Sequence, residues 1–179
     1  MGRGFWILDN ITALRQQAIN NLKDNPYLFK PDNTIRYRYP KVSSRAFPHY
    51  PRTCVIIDYY LPKGKKGGVQ LEILNANKES VVTIVSDKSQ LKSTVTEVED
   101  MNLSQTFRYV DTKLETKEGL NRFHWKLRQK GAWSANKNRS YKNGPMVAPG
   151  TYTAKLTVNG KTHEQDFEII MDPRVKATG

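Results

Sequence analysis

A single cysteine, three histidines and the lack of any apolar run near the ~18 residues of a membrane-spanning helix close off several functional classes at once. Cys54 alone can form no internal disulfide and no multi-cysteine metal centre. It lies in the apolar run Thr53–Ile57, where a buried, inert thiol is the expectation. His49, His124 and His163 show neither HxH nor HExxH spacing, so no metal site is expected, and no cofactor motif is present. The opening MGRGFWILDN lacks a basic region followed by a long apolar core and a small-residue cleavage site, so it does not read as a signal peptide. The residues themselves indicate no compartment.

Charge is plentiful, and its excess is positive. The 179 residues carry a net charge of +12, which raises the question of a nucleic-acid partner. Its distribution argues against one. Residues 31–68 hold eight Lys/Arg against two acids, and residues 113–142 hold nine against two, whereas residues 69–112 hold four against seven. The excess is regional but lies in no single basic helix or arm. Basic loops at separate ends of a domain aid solubility without making a phosphate-binding surface.

The hydrophobic pattern is that of strands. In GPMVAPGTYTAKLTVNGKTHEQDF, residues 144–167, Tyr152, Ala154, Leu156 and Val158 alternate with small or polar residues. Asn159-Gly160 supplies the two left-handed positions of a tight hairpin turn, and Phe167 and Ile169 mark the return strand. Upstream, Cys54–Leu61 is strongly β-prone. Val69, Leu71 and Ile73 alternate, Asn75–Glu79 reads as a turn, and Val81–Val85 returns. Phe123, Trp125 and Leu127 are expected to face one way from a strand over 122–128, with Arg122, His124, Lys126 and Arg128 facing the other. A strand is also expected over Thr34–Tyr39, with Arg36 and Arg38 on its outer face and Ile35, Tyr37 and Tyr39 opposite. Residues 40–52 read as a proline-broken loop and 86–119 as a polar excursion with a short strand at Thr94–Val98. Near the N-terminus, Gly4–Leu8 is a strand candidate without an obvious partner. Ile11, Leu14, Ala18 and Leu22 fall at helical spacing behind a cap at Asp9 or Asn10.

Six or seven such strands with no βαβ alternation predict an all-β fold: an immunoglobulin- or fibronectin-III-like antiparallel β-sandwich with an N-terminal extended and short-helical segment. Phe123, Trp125, Tyr152, Leu156 and Phe167 are the expected core.

Candidate chemistry is sparse. Glu97, Glu99 and Asp100 cluster, but in the polar excursion, where solvated carboxylates are the expectation. Asp58 stands inside an apolar strand; its expected place is an outward edge position or a hydrogen bond to a neighbouring loop. Lys63, Gly64, Lys65, Lys66, Gly67 and Gly68 lack the Gly-Lys-Ser/Thr ending and following helix of a phosphate loop, and read as a hairpin loop. Trp133 and Tyr141 lie in a basic loop, where aromatic faces can stack on a sugar. They are the candidate glycan-binding residues. No catalytic residue is assigned.

The segment GRGFWILDNITALRQ, residues 2–16, resembles the last propeller strand and exit segment of bacterial sortilin-like proteins with sialidase-type BNR-repeat propellers, a family commonly labelled glycosyl hydrolases. Asn10 stands where that family's pattern has a second aspartate. The resemblance continues through Leu28-Phe29-Lys30-Pro31, Ile57-Asp58-Tyr59-Tyr60-Leu61, the Asn121…Trp125 region, Ala148-Pro149-Gly150-Thr151-Tyr152 and Asp172-Pro173-Arg174-Val175. The Asn-x-x-x-Trp and Pro-Gly-Thr-Tyr elements also resemble the immunoglobulin-like domain of the flagellar hook-capping protein, with Lys126 where such domains often place an aspartate.

The resemblance implies a propeller remnant and exit segment over 1–33, a sandwich over 34–174 and a truncated linker over 175–179. It implies a C-terminal piece of an exported parent whose active site lies on the missing propeller. This piece is then a non-enzymatic accessory domain whose main partner is that propeller. A glycan is the alternative partner, nucleic acid a weaker one, and self-association through the orphan strand is a further expectation.

Overall fold

The computed structural model describes residues 10–19, 22, 24–37, 53–64, 67–86, 114–131 and 143–176. One helix, α1 (Thr12–Ile19), is followed by β1 (Tyr27–Leu28), β2 (Thr34–Arg36), β3 (Val55–Leu61), β4 (Val69–Leu74), β5 (Ser80–Val85), β6 (Gly119–Trp125), β7 (Arg128–Lys130), β8 (Asn143–Met146), β9 (Gly150–Val158) and β10 (Lys161–Met171). They form a three-stranded sheet in the order β1-β3-β6, a five-stranded sheet in the order β2-β10-β9-β4-β5, and a β7-β8 ribbon. The fold is all-β and sandwich-like, as the alternating pattern predicts.

Alternation decides what each sheet buries. Val55, Ile57, Tyr59 and Leu61 of β3 point into the core together with Val69, Leu71 and Ile73 of β4 and Ala154, Leu156 and Val158 of β9. All five expected core residues, Phe123, Trp125, Tyr152, Leu156 and Phe167, are buried. Trp125, Tyr152 and Phe167 meet as a trio of rings with centroids 5.8–6.2 Å apart. The polar ends of two of them are satisfied: Trp125 Nε1 donates to Arg128 O (3.1 Å) and Tyr152 Oη to Ala148 O (2.8 Å).

The turns follow their chemistry. Asn159 (φ 51°) and Gly160 (φ 76°) both adopt left-handed backbone, so β9 and β10 pair continuously from Val158↔Lys161 to Gly150↔Ile169. Between β4 and β5, Asn75 Oδ1 accepts from the amides of Asn77 (3.0 Å) and Glu79 (2.9 Å), and Lys78 takes the left-handed position.

Several expectations are corrected. Pairing is not antiparallel throughout, because β2 runs parallel to β10. The chain reaches β2 by crossing the edge of the sandwich at Asp32–Asn33, where Asn33 Oδ1 accepts from Glu168 N (3.0 Å). That parallel register sets Ile35 opposite Ile170, so Ile35 is exposed while Arg36 falls on the inner side, the reverse of the sequence expectation. Leu127 is buried as expected but not on a strand: it has φ 58°, and the chain turns there into β7 while Leu127 O accepts from Val147 N (2.8 Å). Of the expected apolar stripe at the start of the arm, Ile11 and Leu14 are exposed and Leu22 is half-buried, while Ala13 is the buried contact. Cys54 is half-buried rather than fully enclosed.

Candidate functional site

The outer face of the three-stranded sheet carries an ion pair whose carboxylate is buried. Asp58 and Arg122 are cross-strand partners in the β3–β6 register. Arg122 Nε donates to Asp58 Oδ1 at 2.7 Å and Arg122 Nη2 to Oδ2 at 2.8 Å, a two-pronged fit. Asp58 is only 4% exposed. The hydrogen bond to Asp58 holds the Arg122 guanidinium still further from deprotonation, against a smaller opposing effect of burial. Asp58 is therefore neither an outward edge residue nor a loop acceptor. It has a strand partner that the sequence reading assigned to solvent.

Arg122 also reaches beyond the sheet, donating from Nη2 to Asn10 O (3.3 Å). The described residues of 10–32 form an arm laid over this face. Asn10 Oδ1 caps α1 by accepting from Thr12 N (3.0 Å). Asp32 Oδ2 accepts from Thr12 Oγ1 (2.6 Å) and Asn10 Nδ2 (3.1 Å), joining the two ends of the arm. Gln16 makes a two-way amide contact with Lys30, accepting from its N and donating to its O, both at 2.9 Å. Beneath the arm, Ala13 and Phe29 are buried, and Phe29 N donates to Asp58 O (3.0 Å). Leu28 enters the main core, and Tyr27 and Leu28 pair with Tyr60 and Tyr59. A cavity of about 10 Å³ remains among Asn10, Thr12, Asp32 and Asp58, room for roughly one water.

The other buried polar residues are bonded within the chain. Ser86 Oγ accepts from Val69 N (2.8 Å). Thr153 Oγ1 donates to Asp166 (2.6 Å) and accepts from Lys78 Nζ (2.9 Å). Asp172 accepts from the backbone and side chain of Arg174, whose hydrogen bonds hold its carboxyl below the usual carboxylate range. Asn121 Oδ1 accepts from Lys117 N (3.0 Å), and its Nδ2 donates to Lys117 O (2.8 Å) and Gly119 O (3.0 Å), pinning the loop that enters β6. The Asn of the Asn-x-x-x-Trp element is thus a loop staple and the Trp a core ring.

Of the sequence candidates, Trp133, Tyr141, Glu97, Glu99, Asp100 and His49 lie outside the described residues. His124 is half-buried opposite Ile56 on the arm-covered face. His163 shares the inner face of its sheet with Leu156, and burial, helped by Lys161, lowers its pKa. Gly67 and Gly68 line an open depression of about 280 Å³ with Gln70, Thr157, Asn159 and Gly160. Nothing in that lining is charged or aromatic. Among the described residues no three His, Cys, Asp or Glu side chains gather as a metal site, and no helix is long and apolar enough to cross a membrane. Compared with protein-family models, curated proteins and solved structures, the chain matches none.

Proposed function

We propose that this chain is a non-catalytic, immunoglobulin-like accessory sandwich that fixes the position of a neighbouring body through its N-terminal arm. The observation that carries this reading is the Asp58–Arg122 pair, whose guanidinium is shared with the carbonyl of Asn10. A buried bidentate pair fixes an angle as well as a distance. Any body joined through residues before Asn10 is held against the small sheet by that geometry. The neighbour named by the sequence resemblance is a BNR-type propeller, and the parent is then an exported protein.

Spin labels at Leu14→Cys on α1 and Lys161→Cys at the β9–β10 turn, in a Cys54→Ser background, test the positioning role. Both labelled positions are exposed. A single narrow distance distribution is expected, broadening when Asp58 and Arg122 are replaced together by Leu and Met. A broad distribution in the parent sequence would refute the reading. A glycan-array screen with Trp133→Ala alongside is the companion test: saturable binding abolished by that substitution would replace the accessory role with sugar binding.

A further inference from the structure

Four strand ends gather at one end of the sandwich. Val55, where β3 begins, faces Trp125, where β6 ends. The Trp125 ring packs on Tyr152, and Gly150, where β9 begins, faces Ile169 near the end of β10. Arg36, where β2 ends, faces Met171 two residues further on. The sequence that runs between these ends is charged in one sense only. Residues 36–55 and 125–150 hold eleven Lys/Arg and no Asp or Glu, which leaves eighteen bases against seventeen acids in the rest of the chain. Nearly all of the +12 therefore belongs to two stretches that are anchored together, where the sequence expectation put basic loops at separate ends.

The described side chains at this end carry the same sign. Arg128 and Lys130 of β7 are exposed. Arg128 Nη1 donates to Gly144 O (2.9 Å), a neutral acceptor that leaves the charge in place. Trp125 Nε1 holds the carbonyl of Arg128, so this short ribbon is tied to a core ring. Arg36 falls on the inner side with its Nε buried and without a partner among the described residues. It lies close enough to Tyr152 for its charge to oppose the upward push that burial gives the Tyr152 hydroxyl. Asp172 after β10 and Glu79 before β5 are each bonded within the fold, to Arg174 (2.7 Å) and Asn75 (2.7 Å). Cations gathered in this way repel one another, and a ligand of opposite charge relieves that repulsion. Nucleic acid presents a phosphate for about every 1.7 Å of duplex, dense enough to meet several such cations at once.

We propose that this end of the sandwich binds the phosphate backbone of nucleic acid, with Arg36, Arg128 and Lys130 among the contacts. Binding works through charge and the release of counterions, so it is indifferent to base sequence. This is a second role beside the positioning one and does not depend on the docked arm.

The test is fluorescence anisotropy of a labelled mixed-sequence duplex, titrated with the whole chain over a range of salt concentrations. Affinity is expected to fall steeply with salt, and Lys130→Gln and Arg36→Gln should each lower the log–log slope by about 0.9. Lys63→Gln removes the same charge beyond the other end of β3, at an exposed position, and should leave the slope unchanged. An equal loss in Lys63→Gln means that net charge alone is at work and overturns the site. No binding of the duplex at low salt overturns the proposal, as does a sulfated polysaccharide bound where the duplex is not. Urea unfolding of each variant accompanies the titrations. Lys130 is exposed, so Lys130→Gln decides the matter if Arg36→Gln fails to fold.

Discussion

Replacing Arg122 with Met removes both hydrogen bonds to Asp58, at 2.7 and 2.8 Å, and leaves a carboxylate that is 4% exposed without a partner. Stranding one member of a buried pair costs about 3–5 kcal/mol. The Arg122 side chain keeps 30% of its exposure, so water already shares that end of the pair. The expected loss is therefore about 3 kcal/mol, from a total of ~5–15 kcal/mol for a domain of this kind. Arg122→Lys retains the charge but loses the two-pronged fit, and should cost about 1–2 kcal/mol. Asp58→Leu combined with Arg122→Met removes both charges and should fall within about 1 kcal/mol of the parent. Urea unfolding at neutral pH, followed by tryptophan fluorescence, measures all three. Hydrogen exchange over 12–16 should quicken in Arg122→Met and in the double variant alike, because both lose the bond to Asn10 O. A loss below about 1 kcal/mol in Arg122→Met, or a double variant weaker than the single one, would refute the reasoning.

Trp125→Ala removes the ring that meets Tyr152 and Phe167 and should cost about 3–5 kcal/mol by urea unfolding. Asn121→Asp turns the donor facing Lys117 O and Gly119 O into an acceptor, and should cost about 2–3 kcal/mol with faster exchange at 117–121. Gly144→Ala drives a methyl into Lys130 O and to 2.9 Å from Gln129 O, backbone atoms that cannot turn aside, so loss of the β7–β8 amide protection is expected. His163 has its pKa lowered by burial, so the folded state disfavours its charged form. Its contribution is full above the unfolded value near 6.5 and falls as pH drops from there toward the folded pKa. His163→Leu should accordingly lose less melting temperature than the parent between pH 8 and pH 5.

The parts of the fold legible in the sequence are those where period and turn chemistry agree. β9 and β10 show a two-residue alternation joined by Asn-Gly, and β4 and β5 an alternation joined by an Asn-led turn. Local rules specify the pairing there, and the structure follows them. The inner face of β2 was not legible because alternation over Thr34–Tyr39 does not say which face is inner; the parallel register with β10, a long-range fact, decides that. Asp58 and Arg122 were legible only as types. An acid in an apolar run announces burial, but its partner is 64 residues away and sits in a run that also alternates. Pairing the two runs in opposite directions from Val55↔Trp125 would have aligned them. The burial of Ala13 in place of Leu14 was not legible, because the side of the short helix that meets the sheet is set by the ties at Asn10, Gln16 and Asp32 and not by hydrophobicity.

The ion pair is poorly explained as a device for stability. If two apolar side chains of matching size hold the sheet about as well, charge at this position contributes something other than free energy of folding. Leu and Met would fill the space beneath the arm, yet neither could donate to Asn10 O. The guanidinium performs two tasks with one planar group: its fork meets Asp58, and Nη2 also meets the arm's first described carbonyl. Asp32 closes the same arm on itself through Thr12 and Asn10, so the arm's two ends are tied before either reaches a strand. The arm thus has one position set by directional bonds and one set by apolar contact at Ala13, Leu28 and Phe29. Apolar contact alone tolerates sliding; the bidentate pair does not. The double Leu/Met variant separates these contributions, because folding should survive in it while the arm's distance distribution widens.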